Sequence, residues 1–241
     1  MPAAVTAIER AGRRALGAAD AAVNRLYGWR YNPLYQSGTI VVAMFLVLLA
    51  TGLWLLLFYR VGAPWASVAR LTADPWTGNW VRGLHRYASD AAIVATAVHA
   101  VRMVVQHRFW GPRALAWLSG IVLVGLVLVL GWTGYWLVWD VLAQYVALTS
   151  TELLDSLGIF AEPIARNFLS PQTLSSRFFT LMVFLHIAIP LLLLLLMWVH
   201  IQRITDARTN PPRGLAAITL GALLVGLLIL PATSQGPADL A

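Results

Sequence analysis

The sequence has 241 residues, of which 59% are hydrophobic and 11% charged; a soluble domain has about a quarter charged residues, so this composition excludes a soluble protein and indicates an integral membrane protein. The formal net charge of +7 does not indicate a nucleic-acid partner, because the basic residues cluster on loops between apolar runs. The chain has no cysteine, which excludes disulfides, thiolate-bound zinc, cysteine-ligated iron–sulfur clusters and thioether attachment of a cofactor.

Residues 1–30 are predicted to form an amphipathic helix in the membrane interface. Apolar and basic positions occupy different faces of this helix: Val5, Ile8, Leu16 and Val23 against Arg10, Arg13, Arg14 and Arg25. A frayed basic tail is the alternative. The segment lacks the short apolar core and cleavage site of a secretory signal, so no signal peptide is expected.

Five apolar runs that follow are predicted to cross the membrane as helices, which needs roughly 20 residues each. The spans are A at about 38–59, B at about 84–105, C at about 115–138, D at about 178–203 and E at about 214–231. Segment 60–83 is predicted to be a structured surface loop, and segment 139–177 to contain short helices on the membrane surface. The predicted fold is therefore all-α, with a four-helix bundle of A to D in 31–212 and a fifth transmembrane helix with a short tail in 213–241.

Charge is distributed unevenly over the connections between the spans. The segments before A, between B and C, and between D and E carry Arg10, Arg13, Arg14, Arg25, Arg30, Arg108, Arg113, Arg203, Arg208 and Arg213. The C–D connection instead carries Asp140, Glu152, Asp155 and Glu162 against Arg166 and Arg177. Because cytoplasmic loops are enriched in Lys and Arg, we expect the N-terminus in the cytoplasm and the C-terminus outside.

Spans B and D each carry two histidines fourteen residues apart, His85 and His99 in B and His186 and His200 in D. On an α-helix this interval is about 21 Å and close to four turns, so both histidines of a span point to nearly the same face. B and D run in the same direction, which places His85 level with His186, and His99 level with His200. Two facing imidazoles are suited to be the axial ligands of a haem iron. The pattern predicts two stacked, noncovalently held b-type haems with bis-histidine iron.

Other interpretations of these histidines remain. A single intramembrane histidine is often a packing residue, and ionisable groups at this depth also serve as proton relays. A haem-free proton channel or transporter is therefore one alternative, and a purely structural assembly subunit is another. His107, in the basic B–C loop, is interpreted as an ordinary loop residue.

Glycines on spans A and C repeat the histidine interval, with Gly38 and Gly52 in A and Gly120 and Gly134 in C. A residue without a side chain lets a flat macrocycle, or another backbone, approach closely. We therefore predict that four helices enclose two haems. An ordinary contact between membrane helices would explain either glycine pair alone.

Arginines lie three residues from the two histidines of span B, at Arg82 and Arg102. They are predicted to bind haem propionates by charge-assisted hydrogen bonds, and the alternative is snorkelling of their side chains to the interface. Arg86 and Arg203 are weaker candidates for the same role.

These residues resemble a known family, the N-terminal dihaem-binding half of cytochrome b from bc-type quinol oxidoreductase complexes. The resemblance is closest to the short form, in which this half is a separate subunit, and it covers about 30–212. It rests on the stretches LATGLWLLLFYR, RGLHRYAS, HAVR, GWTGYWLVWD, SSRFF and TNPP and on the step from His186 to Pro190.

The resemblance implies two haem sites with distinct roles. His85 and His186 would hold an outer, low-potential haem, and His99 and His200 an inner, high-potential one. Haem packing is implied for Gly38, Gly52, Gly120 and Gly134, and propionate binding for Arg82 and Arg102. Thr205 and Asp206 are candidates for an inner quinone pocket near His200.

The function implied is an electron-transfer subunit in a bacterial cytoplasmic membrane that exchanges electrons with quinone. Its partners would be an iron–sulfur protein and a cytochrome c or a second cytochrome b half, within surrounding lipid and with no nucleic acid.

Departures from the family favour a second hypothesis, a dihaem membrane anchor of an extracytoplasmic oxidoreductase. The family's Pro-Trp pair after span C is Val138-Trp139 here, and the stretch from Arg177 to His186 is about one helical turn longer. The family's glutamate-bearing quinol loop does not occur in this sequence. We therefore expect the outer quinol site to be incomplete in this chain.

Overall fold

The structure, a computed structural model, describes residues 3–75, 78–158, 161–204 and 207–239. Its helices are α1 (Ala3–Tyr27), α2 (Ser37–Phe58), α3 (Pro64–Ala73), α4 (Gly78–Val105), α5 (Ala114–Trp136), α6 (Val141–Ser156), α7 (Ile164–Phe168), α8 (Ser176–Gln202) and α9 (Arg213–Ile229). Single 3-10 turns at Trp29–Tyr31 and Gly111–Arg113 precede α2 and α5. Over the described ranges the only extended pairing is an isolated bridge between Asp140 and Pro237. The predicted all-α fold is confirmed.

Four helices, α2, α4, α5 and α8, are long and apolar enough to cross a membrane, and they correspond to the predicted spans A to D. Three of them begin and end within two residues of the prediction. Helix α4 begins at Gly78, several residues before the predicted start at 84. Its first turns carry Asn79 and Arg82, so the apolar run underestimates the length of the helix.

The shorter elements agree with the prediction less uniformly. Helix α9 is the predicted fifth apolar helix, but its 17 residues rise only about 25 Å. A hydrocarbon core is about 30 Å thick, which takes roughly 20 helical residues to cross. That α9 crosses the membrane stays a prediction, as does the interfacial position of α1. Helices α6 and α7 confirm the short helices expected after span C. The segment predicted as a loop at 60–83 contains α3, which has Pro64 in its first turn, a position where proline's fixed φ favours helix initiation.

The chain divides into two compact units. Unit 1 comprises 1–49, 87–125 and 194–229, and unit 2 comprises 50–86, 126–193 and 230–241. Each of α2, α4, α5 and α8 contributes one part to each unit. The connections predicted to share one side of the membrane fall within the same unit: the N-terminal, B–C and D–E segments in unit 1, and the A–B, C–D and C-terminal segments in unit 2.

Unit 1 packs small residues of α4 against larger apolar residues of α2 and α9. Ala88 and Ala92 are at most 1% exposed, and their cluster includes Ile40, Met44 and Leu215. The absence of bulky side chains on this face of α4 allows close approach of its neighbours, as is common between membrane helices.

Helix α1 is attached to the end of α4 within the same unit. A Cβ added at Gly12 would lie 3.5 Å from Val105, and Nε of Arg13 donates to the Val105 carbonyl at 3.2 Å. Oε2 of Glu9 lies 2.8 Å from Nε2 of His107, a residue in a left-handed conformation with φ 55°. His107 therefore fixes α1 to the loop after α4.

Unit 2 has an aromatic core. Trp136, Trp139, Phe178 and Phe179 are each at most 6% exposed, and their rings contact one another at centroid distances from 5.2 to 6.4 Å. Such contacts add about 0.5–1.5 kcal/mol per pair beyond area burial. The aromatic stretch SSRFF thus anchors the start of α8.

Two further residues, Tyr59 and Asp140, join the connecting segments of unit 2 by hydrogen bonds. The Tyr59 hydroxyl donates to the Leu137 carbonyl at 2.9 Å. Asp140 accepts from the Ala143 amide at 2.9 Å, as the N-cap of α6, and from the Gln235 amide at 3.1 Å. The second contact ties the C-terminal segment to this unit.

Candidate cofactor-binding sites

Unit 2 brings together two of the predicted histidines. The rings of His85, on α4, and His186, on α8, lie with their centroids 6.4 Å apart and their planes inclined by 60°, in an edge-type arrangement. A Cβ added at Gly52 on α2 would lie 3.2 Å from Cε1 of His85, and one at Gly134 on α5 would lie 3.1 Å from Cε1 of His186. Four helices therefore converge on one imidazole pair, and any larger residue at either glycine would press on a ring.

Threonines that precede the two glycines hold the same rings. Oγ1 of Thr51 lies 2.9 Å from Nδ1 of His85, and Oγ1 of Thr133 lies 3.0 Å from Nδ1 of His186. Both distances are typical of hydrogen bonds. Each ring is thus fixed by a hydroxyl on one atom and by close glycine contact on the next.

Unit 1 repeats the arrangement with the other two histidines. A Cβ added at Gly120 on α5 would lie 3.3 Å from Cε1 of His200, and one at Gly38 on α2 would lie 3.1 Å from both Cε1 and Nδ1 of His99. Oγ of Ser119 lies 3.1 Å from Nδ1 of His200.

The fourth hydroxyl, Ser37, differs from the other three. Ser37 is 2% exposed, and its Oγ has no hydrogen-bond partner among the residues that the structure describes. It is adjacent to Gly38, which contacts His99, but it makes no bond to that ring. His99 is therefore held by glycine contact without the hydroxyl bond found at the other three histidines.

The four hydroxyl residues are functional candidates that the sequence reasoning missed. A serine or threonine precedes each of the four glycines: Ser37, Thr51, Ser119 and Thr133. They repeat the fourteen-residue interval, as they must if each is adjacent to a glycine. Reading each glycine with its preceding residue would have found them.

Arg82 of unit 2 is buried, with 9% exposure. Its Nη1 donates to Oγ1 of Thr72 at 2.8 Å and to the Ala232 carbonyl at 3.2 Å, and its Nη2 donates to the Thr233 carbonyl at 3.2 Å. The arginine therefore joins α3, α4 and the C-terminal segment. Its predicted contact with a propionate stays a prediction.

Arg102 of unit 1 is also buried, but it is paired with a carboxylate. Its two terminal nitrogens contact the two oxygens of Asp20 on α1 at 3.0 and 2.9 Å, and its guanidinium lies 5.0 Å from the ring centre of Tyr35. Asp20 also accepts from Nδ2 of Asn32 at 3.2 Å. A bidentate pair of this kind is among the stronger ion pairs, so Arg102 docks α1.

The weaker candidates are placed as follows. Nη2 of Arg86 donates to the Tyr135 hydroxyl at 3.3 Å, and its guanidinium lies 5.6 Å from that ring. Thr205 and Asp206, the candidates for a quinone pocket, lie outside the described residues.

The ring spacing of the imidazole pair in unit 2 can be compared with that expected for two histidines on one metal ion. A metal–imidazole bond is about 2 Å long, and a ring nitrogen lies roughly 1.1 Å from the centre of a five-membered ring with bonds near 1.33 Å. Two rings on one metal are therefore expected about 6.2 Å apart, against the 6.4 Å between His85 and His186. The ring spacing is compatible with axial ligation of a haem iron.

Comparison with known proteins gives an independent test. The family described as Cytochrome b/b6/petB matches residues 24–207. Among solved structures, a chain of "Hyperthermophilic respiratory Complex III" superposes with a TM-score of 0.63 at 18% sequence identity, covering 81% of this chain and 58% of that one. At this identity the match shows a shared fold. The present chain thus corresponds to little more than half the length of the chain it matches.

The family match extends over all four spans and both histidine pairs, and it confirms the resemblance drawn from residues 30–212. Membership implies haem binding, which agrees with the ring spacing in unit 2. This integral membrane protein belongs to the cytochrome b family.

Proposed function

We propose that this chain is a dihaem cytochrome b subunit that transfers electrons across the membrane between a quinone pool and a partner redox subunit of a bc-type complex. The observation that supports it best is the repeated site: in each unit two histidines from α4 and α8 meet glycines from α2 and α5.

Each unit would hold one haem. His85 and His186 would be its ligands in unit 2, and His99 and His200 in unit 1. A bound haem takes up and releases one electron at a time, so two such sites suit a relay. The glycines let the imidazole edges lie close to α2 and α5, which restricts the positions of the rings.

The two arginines would contribute differently to propionate binding. A guanidinium has five N–H donors, so a propionate contact is compatible with the bonds that each already makes. Arg102 is neutralised by Asp20, whereas Arg82 bonds to neutral oxygens and has no carboxylate within ion-pair distance among the described residues. We expect Arg82 to gain more from a propionate than Arg102 does.

Quinone exchange and the partner subunits are inferred from the family and from the fold shared with a chain of respiratory Complex III. An iron–sulfur protein, a cytochrome c or a second cytochrome b half would be the partners. The basic segments of unit 1 favour a cytoplasmic N-terminus in a bacterial membrane, with the C-terminus outside.

The test is a reduced-minus-oxidised spectrum of the purified chain with a haem count. We expect a b-type α-band and two haems per chain, with one haem lost in His99→Ala and one in His186→Ala. His107→Ala is the matched control, because His107 pairs with Glu9 and lies in a loop; it should keep both haems. Absence of the band would favour the haem-free proton channel or transporter.

A second candidate, a dihaem anchor for an extracytoplasmic oxidoreductase, is favoured by one observation. The C-terminal segment lies along the Val138-Trp139 departure from the family: the Val141 amide donates to the Gly236 carbonyl at 3.1 Å, and the Ala238 amide to the Trp139 carbonyl at 3.4 Å. The resemblance implies that this pair lies at the edge of the outer quinol site. In this chain the C-terminal segment is hydrogen-bonded to the backbone at and next to the pair. The proteins that copurify would discriminate, since a bc-type complex brings an iron–sulfur protein and an anchor brings a molybdenum or multihaem subunit.

A further inference from the structure

The hydroxyl residues next to the glycines carry an inference about the protonation of the histidines. Three hydroxyl oxygens lie within hydrogen-bond distance of an Nδ1 atom: Thr51 with His85, Thr133 with His186 and Ser119 with His200. A neutral imidazole has one N–H, on either nitrogen, and its position decides which nitrogen has a free lone pair.

The surroundings of Thr133 decide the direction of its bond. Its Oγ1 lies 2.9 Å from the Val129 carbonyl oxygen and 3.2 Å from that of Leu130. Carbonyl oxygens only accept, and a hydroxyl has a single proton to give. If Thr133 donated to Nδ1, its oxygen would face the Val129 oxygen at 2.9 Å with no proton between two partial negative charges. The hydroxyl therefore donates to the carbonyl, and Nδ1–H of His186 donates to the hydroxyl.

Ser119 is bound in the same way. Its Oγ lies 3.0 Å from the carbonyl oxygens of Leu115 and Ala116 and 3.1 Å from Nδ1 of His200. The same argument gives a proton on Nδ1 of His200. Two rings on the same helix, one in each unit, thus have the same tautomer.

We propose that Thr133 and Ser119 are positioning residues that hold His186 and His200 as the Nδ1–H tautomer, with the Nε2 lone pair of each ring reserved for the haem iron. The inference rests on the proposed function. A histidine ligand that donates its other N–H becomes a stronger electron donor to its metal, and hydrogen bonding around a haem is one determinant of its reduction potential. Loss of a hydroxyl therefore raises the potential of the haem in that unit.

Ser37 provides an internal comparison. It occupies the equivalent position beside Gly38, but its Oγ makes no bond to His99. Replacement of Ser37 should therefore leave the potentials unchanged, although its place in the sequence pattern is the same.

The experiment is a redox titration of the α-band together with the EPR spectrum of the oxidised full chain, for Thr133→Val and Thr133→Ser. Valine keeps the shape and removes the hydroxyl, whereas serine keeps the hydroxyl. Thr180→Val is the matched control, because Oγ1 of Thr180 on α8 donates to the Ser176 carbonyl at 2.7 Å and Thr180 is exposed. Ser119→Ala and Ser37→Ala make the same comparison in unit 1.

We expect Thr133→Val to raise the midpoint potential of one haem and to move its EPR signal, while the potential of the other haem stays unchanged. Both potentials should stay at the parent values in Thr133→Ser and in Thr180→Val. Loss of one haem in Thr133→Val but not in Thr133→Ser would also support the inference. Unchanged potentials and signals in both Thr133→Val and Ser119→Ala would overturn it, as would an equal shift in Thr180→Val or Ser37→Ala. A parent chain without haem would instead overturn the proposed function.

Discussion

The two units contain the same pattern of histidines and glycines, but they surround it with different contacts. In unit 2 both rings are bonded to a threonine, and the buried Arg82 is held by neutral oxygens. In unit 1 the His200 ring is bonded to a serine, the hydroxyl of Ser37 near His99 has no partner among the described residues, and the buried Arg102 is paired with Asp20. A repeated primary pattern therefore does not make two equivalent sites.

The two buried arginines have different partners: Arg102 is bonded to a carboxylate and Arg82 to neutral oxygens. Arg102 uses its charge to dock the N-terminal helix, whereas Arg82 keeps a charge that no carboxylate within ion-pair distance neutralises among the described residues. Asp140 interacts electrostatically with Arg82 but forms no ion pair with it among the described residues, so we expect an anionic group of a cofactor to add the direct charge contact that Arg102 already has.

The largest effect is expected from breaking the ion pair of unit 1. Arg102→Gln leaves Asp20 partly buried without its partner, which costs about 3 kcal/mol, the lower end for buried pairs, because the Asp20 side chain keeps 22% exposure. Thermal unfolding in detergent, followed by circular dichroism, measures the loss. Asp20→Asn combined with Arg102→Gln should recover part of it. An unchanged midpoint in the single variant would contradict a structural role for the pair.

Enlargement of a site glycine should disable one unit and spare the other. In Gly134→Val the added side chain meets Cε1 of His186, where a Cβ alone would already lie 3.1 Å away; overpacking of this kind costs about 1–3 kcal/mol, and one haem should be lost. Gly125→Val is the control on the same helix, since nothing lies within 4 Å of its Cβ position. The haem count of the purified variants decides. Two haems in Gly134→Val would show that the glycine clearance is not needed.

Removal of the N-cap of α6 tests how the C-terminal segment is fixed in unit 2. Asp140→Ala removes the bonds to the Ala143 and Gln235 amides, at a cost of about 1–2 kcal/mol, and should speed hydrogen exchange at both amides. Unit 1 should be unaffected. Asp90→Ala, at an exposed position on α4, serves as control. Equal exchange rates in the two variants would mean that the segment is held by its other contacts.

The smallest effect is expected at the surface of unit 1. Glu9→Gln weakens the pair with His107, whose side chains are 26% and 30% exposed, so the loss should be at most about 1 kcal/mol. High salt should reduce the stability of the parent chain towards that of the variant. Thermal unfolding at low and high salt measures this. A salt-independent difference would point to packing of α1 instead of charge.

Much of the bundle could be predicted because its signals are local. The four spans follow from uninterrupted apolar length. The helical period puts residues fourteen apart on one face, so the shared face of the histidines, and that of the glycines, could be predicted from their spacing. The prediction of a loop at 60–83 was wrong for α3, because a ten-residue helix of mixed composition gives a weak apolar signal. The early start of α4 was missed because its first turns contain the polar residues Asn79 and Arg82.

The contacts that distinguish the two sites could not be predicted in this way. Arg82 and Arg102 each lie three residues before or after a histidine, and by spacing alone they predict the same role. Their partners come from the C-terminal segment and from α1, 150 and 82 residues away in sequence. Contacts at such distances depend on how the helices pack.

The sequence by itself determined the membrane class, the four spans and the histidine interval, because length, apolar content and period are properties of each segment alone. Only the tertiary structure decided that Thr51, Thr133 and Ser119 bond to a histidine while Ser37 does not, although all four share one sequence pattern. The physical reason is that a hydrogen bond requires a donor and an acceptor within about 3 Å. The packing of one helix against another sets that distance, and the spacing of residues along a single helix does not determine it.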